Sequence, residues 1–396
     1  MTSKSDGSWP RIDSVQVKWS RDESQVSSRR QALRQRGPYL AAVVPLISNQ
    51  NPILTPEVQA LAEEAALELA RFDTEVGQMV APFAVMLLRS EAASSSQIEN
   101  LTSTAGSILK AEFGFGESPN SSLIVSNQRA MEAAIEASAN LSLTSILNMH
   151  RILMAKADPE NAGLLRNEAV WIGGSNLGPH GADYVAPEAD AVPRLIQDLV
   201  AFCNRIDLPA FVQVAIAHAQ FETIHPFTDG NGRTGRALVQ ALLHRLGVTS
   251  NVAVPVSAGL LKDTARYFAA LNSYRLGDVS AIIHVFAEAA ISAVENGRKL
   301  AIELREAQVD WQTKVSSRAG SGASVLLTHL LQQPVLNRQR VVDLLGTTPA
   351  NAQLAIDKLV EVGVLTQMGD GKRNRIWQAI DVVHALDSFA ERIKRE

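Results

Sequence analysis

The sequence predicts a mainly α-helical protein with one β-hairpin set between helices and a winged helix-turn-helix module at its C-terminal end. Three observations predict it. Apolar residues recur at helical spacing through most of the chain from Thr55 to Ala307. One stretch, 163–187, breaks that pattern with two β-prone pieces, AVWIG and DYVA, around a Gly/Pro/Asn/His-rich turn. The last segment, 320–396, reads helix, helix, helix, hairpin, the order of a winged helix.

Residues 1–36 are polar and charge-mixed, with arginines at 29, 30, 34 and 36, and read as a partly ordered arm. From Pro38 the chain turns apolar (PYLAAVVPLI). Thr55 can cap a helix that carries Pro56 at its first position and runs to about Phe72. A second helical stretch, from about Thr74 to Leu88, continues into SSSQIENLTSTAGSILKAEF. GFGESPNSS (114–122) reads as a loop. Helices follow at about Ser126–Ala139 and Thr144–Leu153, then the hairpin. Further helices fall at about Glu188–Cys203, Pro209–Ile224, Arg233–Leu246, Lys262–Leu271 and Val279–Ala307. Ser316–Ser324 is small and polar, as a linker is. Beyond it come helices at about Val325–Leu331, Arg338–Leu345 and Ala350–Val362, then two strands around a Gly-rich turn. The expected domains are an arm (1–36), an N-terminal helical region (37–125), a helical core (126–310) and the winged helix (320–396).

A chain of 396 residues suggests two to three domains, and 46% apolar residues suffice for a large core. The net charge of −4 argues against a chain-wide nucleic-acid footprint. Cys203 is the only cysteine, which excludes an intramolecular disulfide and a cysteine-based zinc site. No run approaches about 20 apolar residues, and the N-terminus lacks the apolar centre of a secretory signal. The expectation is a soluble, cytoplasmic protein with no membrane partner.

The chemistry concentrates in His225-Pro-Phe-Thr-Asp-Gly-Asn-Gly-Arg-Thr-Gly-Arg236. An amphipathic helix precedes it, Pro226 should end that helix, and helix formers resume at Thr234. The motif is therefore a loop whose second half opens a helix. Such a loop suits a polyphosphate. Gly230 and Gly232 are expected to take positive φ and let the backbone approach an anion. The first N–H groups of the following helix point at that anion. Arg233 and Arg236, three apart, share a helical face and can grip phosphate oxygens. Asp229 offers a hard carboxylate for Mg²⁺. A histidine such as His225, whose ring type titrates near neutrality, can accept a proton from an attacking hydroxyl. A calcium loop would need a late Glu and further acidic ligands, which this segment lacks.

HPFTDGNGRTGR resembles the signature motif of the Fic family. The resemblance implies an AMP transferase that uses ATP and Mg²⁺ to modify a hydroxyl side chain of a target protein, and itself by automodification. It implies His225 as general base, Phe227 as the loop's core anchor and Asp229 as the Mg²⁺ ligand. It gives Asn231 to the α-phosphate, Arg233 to the outer phosphates and Arg236 to the γ-phosphate. The nucleotide-binding stretch runs from Asp229 through Gly230, Asn231, Gly232, Arg233, Thr234 and Gly235 to Arg236. Related kinases carry Lys where this chain has Gly232, which favours AMP transfer. VWIGGSN and YVAP resemble the family's flap, which clamps an extended target segment by strand addition at about 168–186. RYFAAL (266–271) followed by Gly277-Asp278 resembles the part lining the adenine pocket, with Tyr267 as the candidate residue.

Ser95-Ser-Gln-Ile-Glu99-Asn100 resembles the family's inhibitory signature, placed before the catalytic motif. The resemblance implies that Glu99 pairs with Arg236 and withholds it from the γ-phosphate; in some relatives the same glutamate serves AMP removal. The winged helix invites a DNA-binding reading, with Lys372, Arg373 and Arg375 in the wing. Nine basic residues stand against eight acidic ones in 321–396, which favours a protein-interaction or homodimer role instead. The alternative function is a DNA-binding regulator with a nucleotide-sensing Fic core.

Overall fold

The computed structural model describes residues 9–19, 35–77, 82–175, 177–315, 320–369, 371 and 373–395. Arg29, Arg30, Arg34, Asn176, Lys372 and most of the arm lie outside the described residues. The fold is mainly helical, with a small hairpin and a C-terminal sheet. Two compact units are resolved. The first comprises residues 1–66, 129–248 and 263–287; the second comprises 67–128, 249–262 and 288–396.

In the first unit, β1 (Asp13–Val17) pairs antiparallel with β2 (Tyr39–Val43), Val15 opposite Ala41. A strand was not expected inside the arm. The buried faces of Tyr39, Ala41 and Ala42 explain why PYLAAVV is extended here. The helices α1 (Pro56–Gly77) and α4 (Pro119–Glu136) each give one portion to this unit. They are joined by α5 (Leu143–Met154), α6 (Val192–Cys203), α7 (Ala210–Ile224), α8 (Asn231–Arg245) and α10 (Thr264–Arg275). Every residue of α7 from Phe211 to Ile224 is buried, so this helix is the axis of the unit. A helix surrounded on all sides must satisfy its polar side chains internally. Gln213 Nε2 donates to Phe202 O at 2.7 Å, Gln220 Nε2 to Pro45 O at 2.9 Å, and Tyr274 Oη to Gln220 Oε1 at 2.8 Å.

The second unit holds α2 (Pro82–Ile98), α3 (Ala105–Glu112), the start of α4, and α9 (Val256–Leu261). It also holds most of α11 (Val279–Lys314) and the C-terminal module. α4 starts seven residues before the expected Ser126, because Ser118 caps it, accepting from Ser121 N at 3.2 Å, and Pro119 takes the first helical position. Buried polar bonds tie the unit together. Glu91 accepts from Ser257 N and Oγ at 2.9 and 2.6 Å, and Arg89 grips Glu112 through Nε and Nη2, each at 2.7 Å. α11 continues seven residues past its expected end at Ala307. It is also long and apolar enough to cross a membrane by length and composition, contrary to the reading from runs alone; 56% of its apolar window is buried inside the structure, as in a core helix.

The C-terminal module runs α12 (Gly322–Leu330), β5 (Val335–Asn337), α13 (Arg338–Leu345), α14 (Pro349–Glu361), β6 (Leu365–Gln367) and β7 (Ile376–Ala379). Its sheet has the order β5-β7-β6, all antiparallel. Two elements escaped the sequence reading: the short strand β5 and a final helix, α15 (Ile380–Arg395). Val382, Leu386, Phe389 and Ile393 are buried at helical spacing along α15. Arg392 holds it to Glu303 (2.6 Å) and Asn296 Oδ1 (2.6 Å) of α11.

Candidate active site

α7 ends at His225, whose backbone is left-handed (φ 50°, ψ 62°) while its N–H still donates to Phe221 O at 2.9 Å. This conformation is uncommon for a side-chain-bearing residue. It turns the chain sharply into Pro226, where a helix could not continue. The loop ends at Gly230, also left-handed (φ 73°), which caps α8. Glycine is required there twice over, since a Cβ would also stand 2.9 Å from Met154 Sδ. The first intrahelical bond of α8 is Thr234 N to Gly230 O at 3.0 Å, so the N–H groups of Asn231, Gly232 and Arg233 precede the helical ladder. Gly232 was expected to take positive φ; it lies instead within the first turn of α8, in helical conformation. Gly235 lets α8 approach α7: a Cβ would meet Glu222 Oε1 at 2.7 Å and Phe221 at 3.0 Å.

Asn231 braces the loop from within. Its Oδ1 accepts from Phe227 N and its Nδ2 donates to Phe227 O, both at 2.9 Å. The amide expected to meet a phosphate is thus engaged with the loop backbone. Phe227 is fully buried, as expected of an anchor. Asp229 is 70% exposed; its Oδ1 accepts from Gly230 N at 2.6 Å and its Oδ2 lies 3.8 Å from Arg233 Nη2. Arg233 and Arg236 are buried (5% and 2% exposed), and Thr234 is wholly so.

Tyr267 is 1% exposed and its hydroxyl bonds His218 Nε2 at 2.7 Å, so its ring packs in the core of the unit. Helix α10 turns that face inward against Phe286. His218 is pushed down to about 3, first by burial and then by the positive charge of Arg236.

Three residues of the site were missed by sequence reasoning. His150 stacks on Phe227 and donates from Nε2 to Asp229 O at 3.0 Å, while its Nδ1 accepts from Gly163 N at 2.9 Å. The backbone donor at Nδ1 places the proton on Nε2, and burial lowers the ring's pKa to about 4. Arg166 is 4% exposed and donates to carbonyls alone: His225 O (2.8 Å), Pro187 O (2.6 Å), Glu168 O (2.9 Å) and Ile224 O (3.4 Å). Burial lowers its pKa to about 10, which leaves it charged at neutral pH. Glu222 is a buried carboxylate with Oε2 4.0 Å from His225 Nδ1. No local signal marks them, because each acts on residues distant in sequence or within a helix read only as apolar.

Beside the loop, β3 (Trp171–Ile172) pairs with β4 (Tyr184–Val185) as the expected hairpin. Tyr184 Oη donates to Thr223 O at 2.5 Å, and the Arg275 guanidinium lies 3.7 Å from the Tyr184 ring. The hairpin tip is tied to the N-terminal segment: His180 Nδ1 lies 3.1 Å from Gln35 Oε1 and its Nε2 lies 3.0 Å from Gly37 O.

In the second unit, α2 ends in a full Schellman motif. Leu101 N donates to Ser96 O at 3.0 Å and Asn100 N to Gln97 O at 2.9 Å, with Asn100 left-handed at φ 60°. Glu99 is the exposed C-cap residue of this turn and Ser95 is fully buried one turn earlier. Asn127 Nδ2 pins the same helix end, donating to Ala92 O and Ser96 Oγ at 3.0 and 3.1 Å. In the C-terminal module, Lys358 bonds Glu361 at 3.0 Å and Arg375 lies 5.1 Å from the Trp377 ring centre.

A histidine at a helix end, a carboxylate and two arginines are gathered by a glycine turn at a helix N-terminus, an arrangement that suits an anion. Comparison with known proteins narrows the reading. The Fic/DOC family matches residues 140–243 and the Fic/DOC family N-terminal region matches 59–136. The chain is thus a Fic-domain protein with the family's N-terminal region, homologous to Fic-family adenylyltransferases at moderate identity over part of its length. It is 30% identical over 196 residues to the protein adenylyltransferase fic-1 of Caenorhabditis briggsae, covering 46% of this chain and 36% of that one. With fic-1 of Caenorhabditis elegans it shares 31% identity over 158 residues, covering 39% and 28%. The chain therefore spans about a third of the length of these curated relatives. A Fic family protein from Desulfovibrio desulfuricans has the same fold, with a TM-score of 0.53 at 20% identity, covering 83% of this chain and 97% of that one.

Proposed function

We propose that this protein transfers AMP from ATP to a hydroxyl of a target protein, with His225 as general base and Glu99 as a built-in inhibitor. The observation that carries the reading is the pair of left-handed residues bracketing the loop, His225 and Gly230. They set an imidazole at one end of a tight turn and the N-terminus of α8 at the other.

His225 Nδ1 is buried beside Glu222, which assigns the target hydroxyl's proton to Nε2. As that proton leaves, the hydroxyl oxygen bonds to the α-phosphorus and the bond to the β-phosphate oxygen breaks. Pyrophosphate departs. Charge on the phosphates is met by the α8 N-terminus, Arg233 and Arg236. No cluster of three metal-binding side chains exists among the described residues. Asp229, exposed at the loop, fits a Mg²⁺ ion that takes one carboxylate and completes its shell with phosphate and water. That ion would supply charge neutralisation at the phosphates. Asn231 acts by shaping the loop, and the hairpin at 168–186 serves as the seat for an extended target segment.

The inhibitory reading of Glu99 gains support from its setting. A carboxylate at a helix C-terminus faces the negative end of the dipole, which disfavours it by about 0.3–1 kcal/mol. The use proposed for that carboxylate is to pair with Arg236. The test is label transfer from α-labelled ATP with mass spectrometry of the chain. Glu99→Gly should raise automodification strongly, and His225→Ala should abolish it while nucleotide still binds. Transfer retained in His225→Ala removes the base assignment. Loss of AMP from a premodified target in the wild type, but not in Glu99→Gly, would add a hydrolytic role for the same glutamate.

A further inference from the structure

Within the first unit the N-terminal segment meets the hairpin at two points. Trp19, just beyond β1, stands edge-on to both Tyr39 and Trp171: its ring centre lies 5.8 Å from each of theirs, at interplanar angles of 88° and 89°. Aromatic quadrupoles favour this edge-to-face geometry. The buried indole N–H of Trp19 has no hydrogen-bond partner among the described residues, so packing alone holds the ring. Gln35, 5% exposed, is the second point. Its Oε1 lies 3.4 Å from His180 N and its Nε2 lies 3.4 Å from His180 O, so one amide faces both main-chain groups of a single hairpin residue. The two points converge on Gly178. A Cβ there would stand 2.5 Å from Gln35 Oε1 and 3.1 Å from Trp19 Nε1, so glycine is what lets both side chains close over the hairpin.

The hairpin needs such a hold. Its ladder has two residue pairs, Trp171 with Val185 and Ile172 with Tyr184, and so short a ribbon is marginal in water by itself. Between the strands the bonds are local: Trp171 Nε1 to Ser175 O at 2.9 Å, Leu177 N to Ser175 Oγ at 3.2 Å and Ala182 N to Pro179 O at 3.2 Å. We propose that Trp19 and Gln35 are positioning residues for the target protein. They fix the hairpin tip from the N-terminal side and so set how tightly an acceptor segment is held, without acting on ATP. This rests on the reading of the hairpin as the target's seat. A seat that is already ordered spares the target the cost of ordering it; a loosened seat must be ordered each time a target docks. Neither side chain is bonded to the loop 225–236, which is why the nucleotide should not feel the change.

The test uses a His225→Ala copy of the full chain as acceptor and the Glu99→Gly chain as enzyme, with α-labelled ATP. Adding Trp19→Ala to the enzyme should raise the acceptor concentration at half-maximal rate about tenfold. It should leave kcat and the half-saturating ATP concentration within about twofold, the mark of lost uniform binding. Trp19→Phe, which keeps an edge-on ring and drops only the unbonded N–H, should recover most of the loss. Gly178→Ala, whose Cβ displaces the Gln35 amide, should reproduce the loss with both clasping side chains present. An effect on kcat or on ATP as large as that on the acceptor, or no acceptor effect, overturns the positioning role. Label on the enzyme chain alone, with none on the acceptor, also overturns it. Hydrogen exchange at the Leu177 and Ala182 amides checks the clasp without any transfer. It should be faster in Trp19→Ala and Gly178→Ala than in wild type, and unchanged exchange overturns the clasp. Should the Glu99→Gly chain label neither itself nor the acceptor, the AMP-transfer reading falls and the positioning role with it, while exchange still decides whether Trp19 and Gln35 hold the hairpin.

Discussion

His150 lies flat against Phe227, ring centres 3.7 Å apart and planes within 2°, and its Nε2–H holds the carbonyl of Asp229. One neutral ring thus supports both the loop's anchor, Phe227, and the backbone of Asp229. Protonation would convert Nδ1 from the acceptor of Gly163 N–H into a competing donor. Burial keeps the folded-state pKa near 4, below the value of about 6.5 for an unfolded chain. The unfolded state therefore takes up a proton first as pH falls. The stabilisation is full above about pH 6.5 and is lost on the way down to about pH 4, at up to about 1.4 kcal/mol per pH unit. His218, held near 3, adds a second slope of the same sign. Urea unfolding at pH 7.5 and pH 5 should show this loss, and His150→Phe should show a shallower one. An unchanged slope in the variant would contradict the assignment.

Arg166 is the second support of the site. Its guanidinium donates to the carbonyls of Ile224 and His225 at the end of α7 and to those of Glu168 and Pro187 at the base of the hairpin. Among the described residues no carboxylate pairs with it, so carbonyl dipoles alone compensate a buried charge. Arg166→Met removes the charge and leaves four carbonyls to find new donors. The expected loss of stability is about 2–4 kcal/mol. Transfer to a target should fall further than nucleotide binding does, because both the imidazole and the target seat lose a fixed backbone. Arg166→Lys should recover part of the stability and less of the transfer, since an ammonium cannot span the same four acceptors. Equal recovery of both would reduce Arg166 to a packing role.

The loop was legible because its demands are local. A proline after a helix and a glycine before one state where the chain must turn, and Arg233 and Arg236 follow by spacing. Gly232 was misread because a glycine inside a first helical turn looks in sequence like a glycine in the loop before it. For Tyr267, spacing gives a place on a helix but does not say that α10 turns it toward His218 and Phe286. His150 and Arg166 were invisible because their partners stand 79 and 59 residues away. The strands β1 and β5 are too short for periodicity to reveal, whereas the apolar positions of α15 at 382, 386, 389 and 393 were open to reading.

Gly230 offers a test of the loop that leaves every polar group in place. Alanine at φ 73° costs about 1–2 kcal/mol for the left-handed backbone alone. Its Cβ would also press on Met154 Sδ. Gly230→Ala should therefore lower the melting temperature and weaken nucleotide binding together. Adding Met154→Ala relieves the contact but not the backbone, so the double variant should regain only part of the loss. Full recovery would show that the left-handed turn is dispensable.

Substitution of Asn100 separates the shape of the turn proposed to inhibit from the charge that Glu99 brings to it. The residue stands at φ 60°, the position after a helix where glycine or asparagine is favoured and a β-branched side chain is strained. Asn100→Gly should leave both stability and transfer close to wild type. Asn100→Val should lose about 1–2 kcal/mol through left-handed strain, and the cheapest relief is to release the bonds from Leu101 to Ser96 and from Asn100 to Gln97. Glu99 keeps its charge in that variant but not its position. If inhibition depends on where the carboxylate is held, Asn100→Val should raise AMP transfer in the manner of Glu99→Gly. If it depends only on the presence of the charge, transfer stays low while the helix end frays, which hydrogen exchange at the Leu101 amide would report.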